Sequence, residues 1–166
     1  MILDEWLRWL QDLALPTLVR ENGSIFPWVE AVHVLGLTTV LGTIALLDFR
    51  LLGVAFRDRP VRKVLNDVLP CTWTAFVVAV VTGLLLFASN AVTYAHNSFF
   101  RAKLAILILV GVNAAVFGRW TAPGLDAWDT AAVPPLRARI SGAISVALWI
   151  GIVVCGRWIG FTRTNP

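Results

Sequence analysis

Charged residues are scarce in this sequence. Only 14% of the 166 residues are Asp, Glu, Lys or Arg, whereas 58% are hydrophobic, and soluble domains carry about 25% charged residues. Between Val68 and Phe100 there is no residue of these four types. This composition excludes an ordinary soluble domain and indicates an integral membrane protein, with residues 1–166 forming one domain.

Motifs of soluble enzymes are also absent. The chain has no glycine-rich phosphate loop, no paired-cysteine metal motif, no His-Glu-x-x-His and no nucleophile elbow. The two cysteines, Cys71 and Cys155, are expected near opposite ends of different helices, too far apart for a disulfide. The formal charge of +4 comes from basic residues in short segments between apolar runs, which is typical of membrane topology signals and not of nucleic-acid binding.

Four apolar segments are long enough to cross a bilayer, which takes about 20 residues of α-helix. They cover residues 25–47, 69–91, 99–118 and 140–161. Ser24 is a candidate cap for the first span and Asn97 or Ser98 for the third. Near the start of the third span, Arg101 and Lys103 are interpreted as snorkelling anchors. The predicted fold is all-α, a transmembrane four-helix bundle.

A shorter amphipathic helix is predicted before the first span, over residues 2–14. Ile2, Trp6 and Trp9 fall on one face of it, and Pro16 is expected to end it. Such a helix lies in the interface of the lipid bilayer.

The distribution of basic residues predicts the orientation. The segments between spans one and two and between spans three and four hold eight Lys and Arg residues, against six elsewhere, with residues 48–67 read as a solvated loop or surface helix. Because cytoplasmic loops are enriched in basic residues, both termini are predicted to be extracytoplasmic.

The chain has two histidines, and both are predicted on the same side of the membrane. His33 lies eight residues inside the first span, roughly 12 Å deep by helical rise, and His96 just follows the second span. A b-type haem in a helical bundle needs two axial imidazoles from different helices. The pair therefore predicts a quinol-linked electron-transfer subunit with haem b held by His33 and His96.

Other polar residues are candidates for the same pocket. Glu30 lies one turn before His33, where a carboxylate can orient an imidazole. Asn90 and Tyr94 are predicted to line the pocket, and Gly83 to leave room for a flat macrocycle.

Three alternatives stay open. His33 can simply bond Glu30 or Asn90 in a structural polar cluster, or Glu30, His33 and His96 can form a copper-type metal site. The third alternative is a non-catalytic accessory subunit, in a larger membrane complex or homo-oligomer, that packs through the small residues of span four. Those small residues are Ser141, Gly142, Ser145, Gly151, Gly156 and Gly160.

Several stretches resemble a family of small bacterial four-helix membrane proteins of unknown function. They are WVEAVHVLGLTTVLGTIALLDFRLLG (28–53), LLLFASNAVTYAHNSFFRAK (84–103) and WIGIVVCGRWIGF (149–161). More loosely, the chain is similar to copper-resistance D and cytochrome b561-like membrane modules. The resemblance implies a protein of the bacterial inner membrane and does not imply an activity.

Overall fold

The computed structural model describes residues 2–162, and this part of the chain is helical and contains no strand. The α-helices are α1 (Ile2–Gln11), α2 (Ala14–Glu21), α3 (Ile25–Leu52), α4 (Val61–Ser89), α5 (Ala91–His96), α6 (Ser98–Val116) and α7 (Leu136–Thr162). A π-helical turn, Phe117–Thr121, and a 3₁₀ segment, Ala122–Ala127, follow α6.

Four of the helical segments are long and apolar enough to cross a membrane. These are Ile25–Leu52, Val61–Ser89, Ser98–Ala127 and Leu136–Thr162. The predicted all-α fold with four membrane spans is confirmed, and the chain is a helical membrane protein.

The long helices pack as antiparallel neighbours, with α3 against α4 and α7, and α6 against α7. Two clusters of buried side chains lie at different levels. One contains Val40 of α3, Ala75 of α4 and Trp149 of α7, and the other gathers Leu51, Val61 and other aliphatic side chains where α3 ends and α4 begins. We call the end of the bundle where α3 ends and α4 begins the loop side. We call the opposite end, which holds α1, α2 and α5, the terminal side.

Three helices extend beyond their predicted spans on the loop side, α3 and α4 by the most, while α7 begins at Leu136 where residue 140 was predicted. α3 continues to Leu52 and ends where Gly53 adopts a left-handed conformation, with φ of 70°, and α4 begins at Val61. The prediction of residues 48–67 as a solvated surface segment is therefore wrong at its start, since Asp48 and Arg50 are buried within α3. A run of apolar residues indicates only the part of a helix that lies in the hydrocarbon core of the membrane. The helix itself can continue into the interface where neighbouring segments pack against it.

Arg50 joins the two segments of the loop side. Its side chain is fully buried; Nε donates to the carbonyl oxygen of Arg59 at 2.7 Å, and Nη2 donates to those of Asp129 and Ala131 at 3.2 and 3.0 Å. Nη1 is also buried, without a hydrogen-bond partner among residues 2–162. One guanidinium thus ties the α3–α4 connection to the segment before α7.

The N-terminal region forms two short helices where one, over residues 2–14, was predicted. The break falls at residues 12 and 13, and Pro16 lies in the first turn of α2, where its missing N–H leaves no intrahelical bond unmade. Val19 is buried, whereas Ile2 and Trp6 are 78% and 66% exposed. The exposed apolar face of α1 suits the predicted interfacial position.

Candidate functional site

The imidazole of His33 projects from α3 onto the backbone of α4. Its Nδ1 atom is 2.8 Å from the carbonyl oxygen of Ala79 and 3.1 Å from Oγ1 of Thr82. A carbonyl oxygen only accepts, so Nδ1 carries the proton. The hydroxyl of Thr82 donates its own proton to the carbonyl of Val78 at 2.7 Å, and its oxygen can share the Nδ1 proton.

This arrangement fixes the tautomer of His33. With the proton on Nδ1, the neutral ring presents the lone pair of Nε2, and no hydrogen bond to Nε2 is formed within residues 2–162. A ring nitrogen oriented in this way can accept a proton, accept a hydrogen bond or ligate a metal.

Gly83 sets the position of the ring. A Cβ atom at residue 83 would lie 2.9 Å from Cε1 of His33, too close for two carbon atoms in contact, and 3.3 Å from Nδ1, which is a tight contact. Gly36 allows a similar close approach one turn further along α3, where an added Cβ would be 3.2 Å from the carbonyl oxygen of Ala75. The two glycines let α3 and α4 approach each other closely, and the imidazole of His33 occupies the space beside Gly83.

Lys103 of α6 supplies the charge near His33. It interacts electrostatically with His33 and with Cys155 of α7, and no carboxylate pairs with it in the described part of the chain. The direct contacts of His33 are therefore with α4, and the charge of Lys103 on α6 acts on the imidazole from outside those contacts. We call His33, Thr82, Gly83 and Lys103 the His33 site.

The structure places His96 elsewhere. It lies on α5, which packs against α1, α4 and α6, and its Nε2 atom is 2.8 Å from Oδ1 of Asp4 on α1. This hydrogen bond is the main reason why the pKa of Asp4 is lowered from its ordinary value. His96 thus fastens the N-terminal helix to the bundle on an exposed surface.

The other predicted residues have contacts of their own, none of them a hydrogen bond to His33 within residues 2–162. Glu30 is exposed on α3 and, within residues 2–162, makes no hydrogen bond to His33. Asn90 connects α4 to α5, where its Nδ2 is 3.4 Å from Oγ of Ser89. Tyr94 is buried against the rings of Phe87 and Phe100. Within residues 2–162, none of these three side chains forms a hydrogen bond to His33.

These positions do not fit a haem ligated by both histidines. His33 bonds the backbone of α4 and contacts Gly83 where space for a macrocycle was expected, while His96 bonds Asp4. In the described residues, no group of three or more His, Cys, Asp and Glu side chains could hold a metal ion. The haem and the copper-type site stay predictions, and no chemistry is derived through either.

Sequence reasoning missed Lys103 as part of the site. A lysine five residues into a helix that begins at Ser98 is close enough to the interface to be read as an anchor. Position along the span could have identified it, because Lys103 lies five residues and His33 eight residues inside helices that start on the same side of the bundle. The cap predicted at Asn97 is confirmed, since its side chain accepts a hydrogen bond from the amide of Phe100.

The fold and the intramembrane His33 site define a helical membrane protein with a polar site in its spanning region. The profile of the family of unknown function DUF6644 matches residues 6–162, and the chain belongs to this family. No curated protein and no solved structure matches the chain. The expected membership of a family of unknown function is confirmed, whereas the looser similarity to copper-resistance D and cytochrome b561-like modules is not shown.

Proposed function

We propose that this protein is the quinol-binding membrane subunit of an electron-transfer system, with His33 as the residue that binds the quinol hydroxyl. The observation that supports this proposal is the hydrogen bonding of His33. Its Nδ1 proton is directed to Ala79 and Thr82 of α4, which leaves Nε2 as an acceptor inside a membrane bundle. Ionisable side chains in such positions mark substrate or proton pathways by default.

The side chains of His33 and Lys103 are suited to bind a ligand that carries a hydroxyl group. A quinol O–H donates to Nε2 of His33, and the ammonium of Lys103 donates to the same ligand oxygen. When the hydroxyl proton passes to Nε2, the imidazolium keeps its Nδ1–H bond to the carbonyl of Ala79, which stabilises the positive charge. The quinol then carries one negative charge beside Lys103, and its electrons become easier to remove.

The structure supplies less support for the accessory-subunit alternative. That hypothesis requires the small residues of span four to face a partner protein. Gly142 instead contacts α3, where an added Cβ would be 3.1 Å from the carbonyl of Asp48, and Gly151 contacts Ile106 of α6. Packing within the chain thus uses Gly142 and Gly151, whereas Gly156 and Gly160 have open space beside them.

We also propose that the protein lies in the bacterial inner membrane with both termini extracytoplasmic. The support is the excess of eight basic residues over six in the two connections of the loop side and the family resemblance. Reporter fusions at Arg59 and after Gly160 test the orientation. Cytoplasmic activity of the fusion after Gly160 contradicts it.

Binding of a short-chain quinol to the purified protein in nanodiscs tests the function. We expect His33→Gln to weaken binding about fivefold, since the net contribution of a hydrogen bond is about 1 kcal/mol. The matched control is His96→Gln, which removes the other histidine and should bind like the wild type. Thermal unfolding of each variant checks that the bundle is intact.

Two outcomes contradict the proposal. Equal quinol affinity of the wild type and a folded His33→Gln variant excludes a role for Nε2. An equal loss in His33→Gln and His96→Gln shows that quinol partitions to a general surface and not to the His33 site.

A further inference from the structure

A cleft opens between α6 and α7 on the loop side, away from the His33 site. Its volume is about 280 Å³, and Val116, Trp120, Ile140 and Ile144 provide most of its apolar lining, with Arg137 beside them. The π-helical turn that follows α6 carries Trp120 to the cleft. Trp120 is 67% exposed and Ile140 49%, so the cleft faces the surroundings of the bundle and not its core.

The polar groups in the cleft satisfy one another. Nδ2 of Asn113 donates to the carbonyl oxygen of Ser141 at 3.0 Å, and the hydroxyl of Ser141 donates to Oδ1 of Asn113 at 3.2 Å. Both side chains therefore already have a hydrogen-bond partner within the cleft. What remains open is apolar surface, which a hydrocarbon chain covers without loss of a hydrogen bond.

Arg137 differs from the basic residues around the start of α4. There, Arg62 pairs with Asp126 and Lys63 with Asp67. Arg137 is exposed in the first turn of α7 and forms no ion pair within residues 2–162. An unpaired guanidinium beside an apolar cleft is complementary to a ligand with a negative head and an apolar chain.

We propose that this cleft binds an anionic phospholipid, with one acyl chain against Val116, Ile140 and Ile144 and the phosphate against Arg137. The helices that form the cleft are both membrane-spanning, so its apolar part meets acyl chains. Trp120 lies beside Arg137, and indole rings favour the boundary between hydrocarbon and headgroups. Basic pockets between spanning helices are suited to anionic headgroups.

Thermal unfolding of the full chain in detergent, titrated with phosphatidylglycerol or with phosphatidylcholine of the same acyl chains, tests the proposal. Wild-type protein should be stabilised more by phosphatidylglycerol. We expect Arg137→Gln to weaken the apparent affinity for phosphatidylglycerol about fivefold, the effect of about one charge at a membrane surface. Arg101→Gln removes the same charge from α6 at the opposite membrane boundary, and should behave like the wild type.

A second variant tests the apolar part of the cleft. Ile140→Trp should fill the cleft and weaken the effect of phosphatidylglycerol while Arg137 is retained. Native mass spectrometry of the same proteins counts the lipids that stay bound and does not depend on the unfolding transition. It should show fewer retained phosphatidylglycerol molecules in Arg137→Gln and in Ile140→Trp than in the wild type.

Three results overturn the proposal. An equal loss in Arg137→Gln and Arg101→Gln indicates general attraction of anionic lipid. Equal effects of phosphatidylcholine and phosphatidylglycerol on the wild type exclude recognition of the charge. The same stabilisation by inorganic phosphate alone excludes the lipid as the ligand.

Discussion

Replacing Arg50 by methionine should destabilise the bundle by about 3 kcal/mol. Methionine keeps the unbranched stem and loses three hydrogen bonds, from Nε to Arg59 and from Nη2 to Asp129 and Ala131. Bonds from a charged donor contribute about 1.5 kcal/mol each at the low end, about 4.5 kcal/mol in total. Burial of the Nη1 atom, which has no hydrogen-bond partner among residues 2–162, costs about 1 to 2 kcal/mol and offsets part of this stabilisation in the wild type.

The measurement is unfolding of the wild type and of each variant in mixed detergent micelles, followed by circular dichroism. Arg62→Met is the matched control, because it removes an exposed pair with Asp126 on the same side of the bundle. Such pairs contribute about 0 to 1 kcal/mol. If Arg50→Met is as stable as Arg62→Met, or more stable than the wild type, the desolvation of the guanidinium outweighs its hydrogen bonds and the reasoning is refuted.

Three further predictions concern the His33 site and the terminal side. Gly83→Ala should displace the His33 ring, since its Cβ would lie 2.9 Å from Cε1, and should reduce quinol affinity; unchanged affinity would show that the ring has room to move. Asp4→Asn should lower thermal stability at pH values above the ordinary Asp pKa of 3.8, because the hydrogen bond from His96 lowers the pKa of Asp4 in the folded state. The difference from the wild type should disappear as the pH falls through that lowered pKa. Asp12→Asn is the control, and a difference that persists in acid would contradict a stabilising bond between Asp4 and His96. The absorption spectrum of the purified protein tests the haem prediction: a Soret band that vanishes in both His33→Ala and His96→Ala supports a haem held by the two histidines, whereas a colourless protein, or a spectrum that ignores His96→Ala, contradicts it.

The transmembrane architecture follows from the sequence because hydrocarbon imposes its own pattern. A run of about 20 apolar residues has few alternatives to a spanning helix, so the four spans were predictable. The residues at which the helices begin and end were harder to predict. The start of α4 at Val61 and the burial of Arg50 depend on loops that pack against each other, and such contacts leave no local signal. Pro16 was read as a terminator although a proline suits a first turn equally well.

The candidate site was predictable only in part. His33 was identifiable because an ionisable residue in an apolar run is unusual. Its partners were not, since the Nδ1–H bonds go to the backbone carbonyl of Ala79 and to Thr82, more than forty residues away. The two histidines were paired because they were the only two in the chain. The partner of His96 was not predictable either, because Asp4 lies 92 residues away on α1.

The tautomer of His33 is the central claim, and nitrogen NMR measures it directly. In the His96→Gln background, His33 is the only histidine, so protein labelled with ¹⁵N-imidazole histidine gives one pair of ring signals. We predict a protonated Nδ1, an unprotonated Nε2, and a change in the Nε2 signal when a short-chain quinol is added. A proton on Nε2 in the neutral ring, or ring signals that do not respond to saturating quinol, would contradict the account.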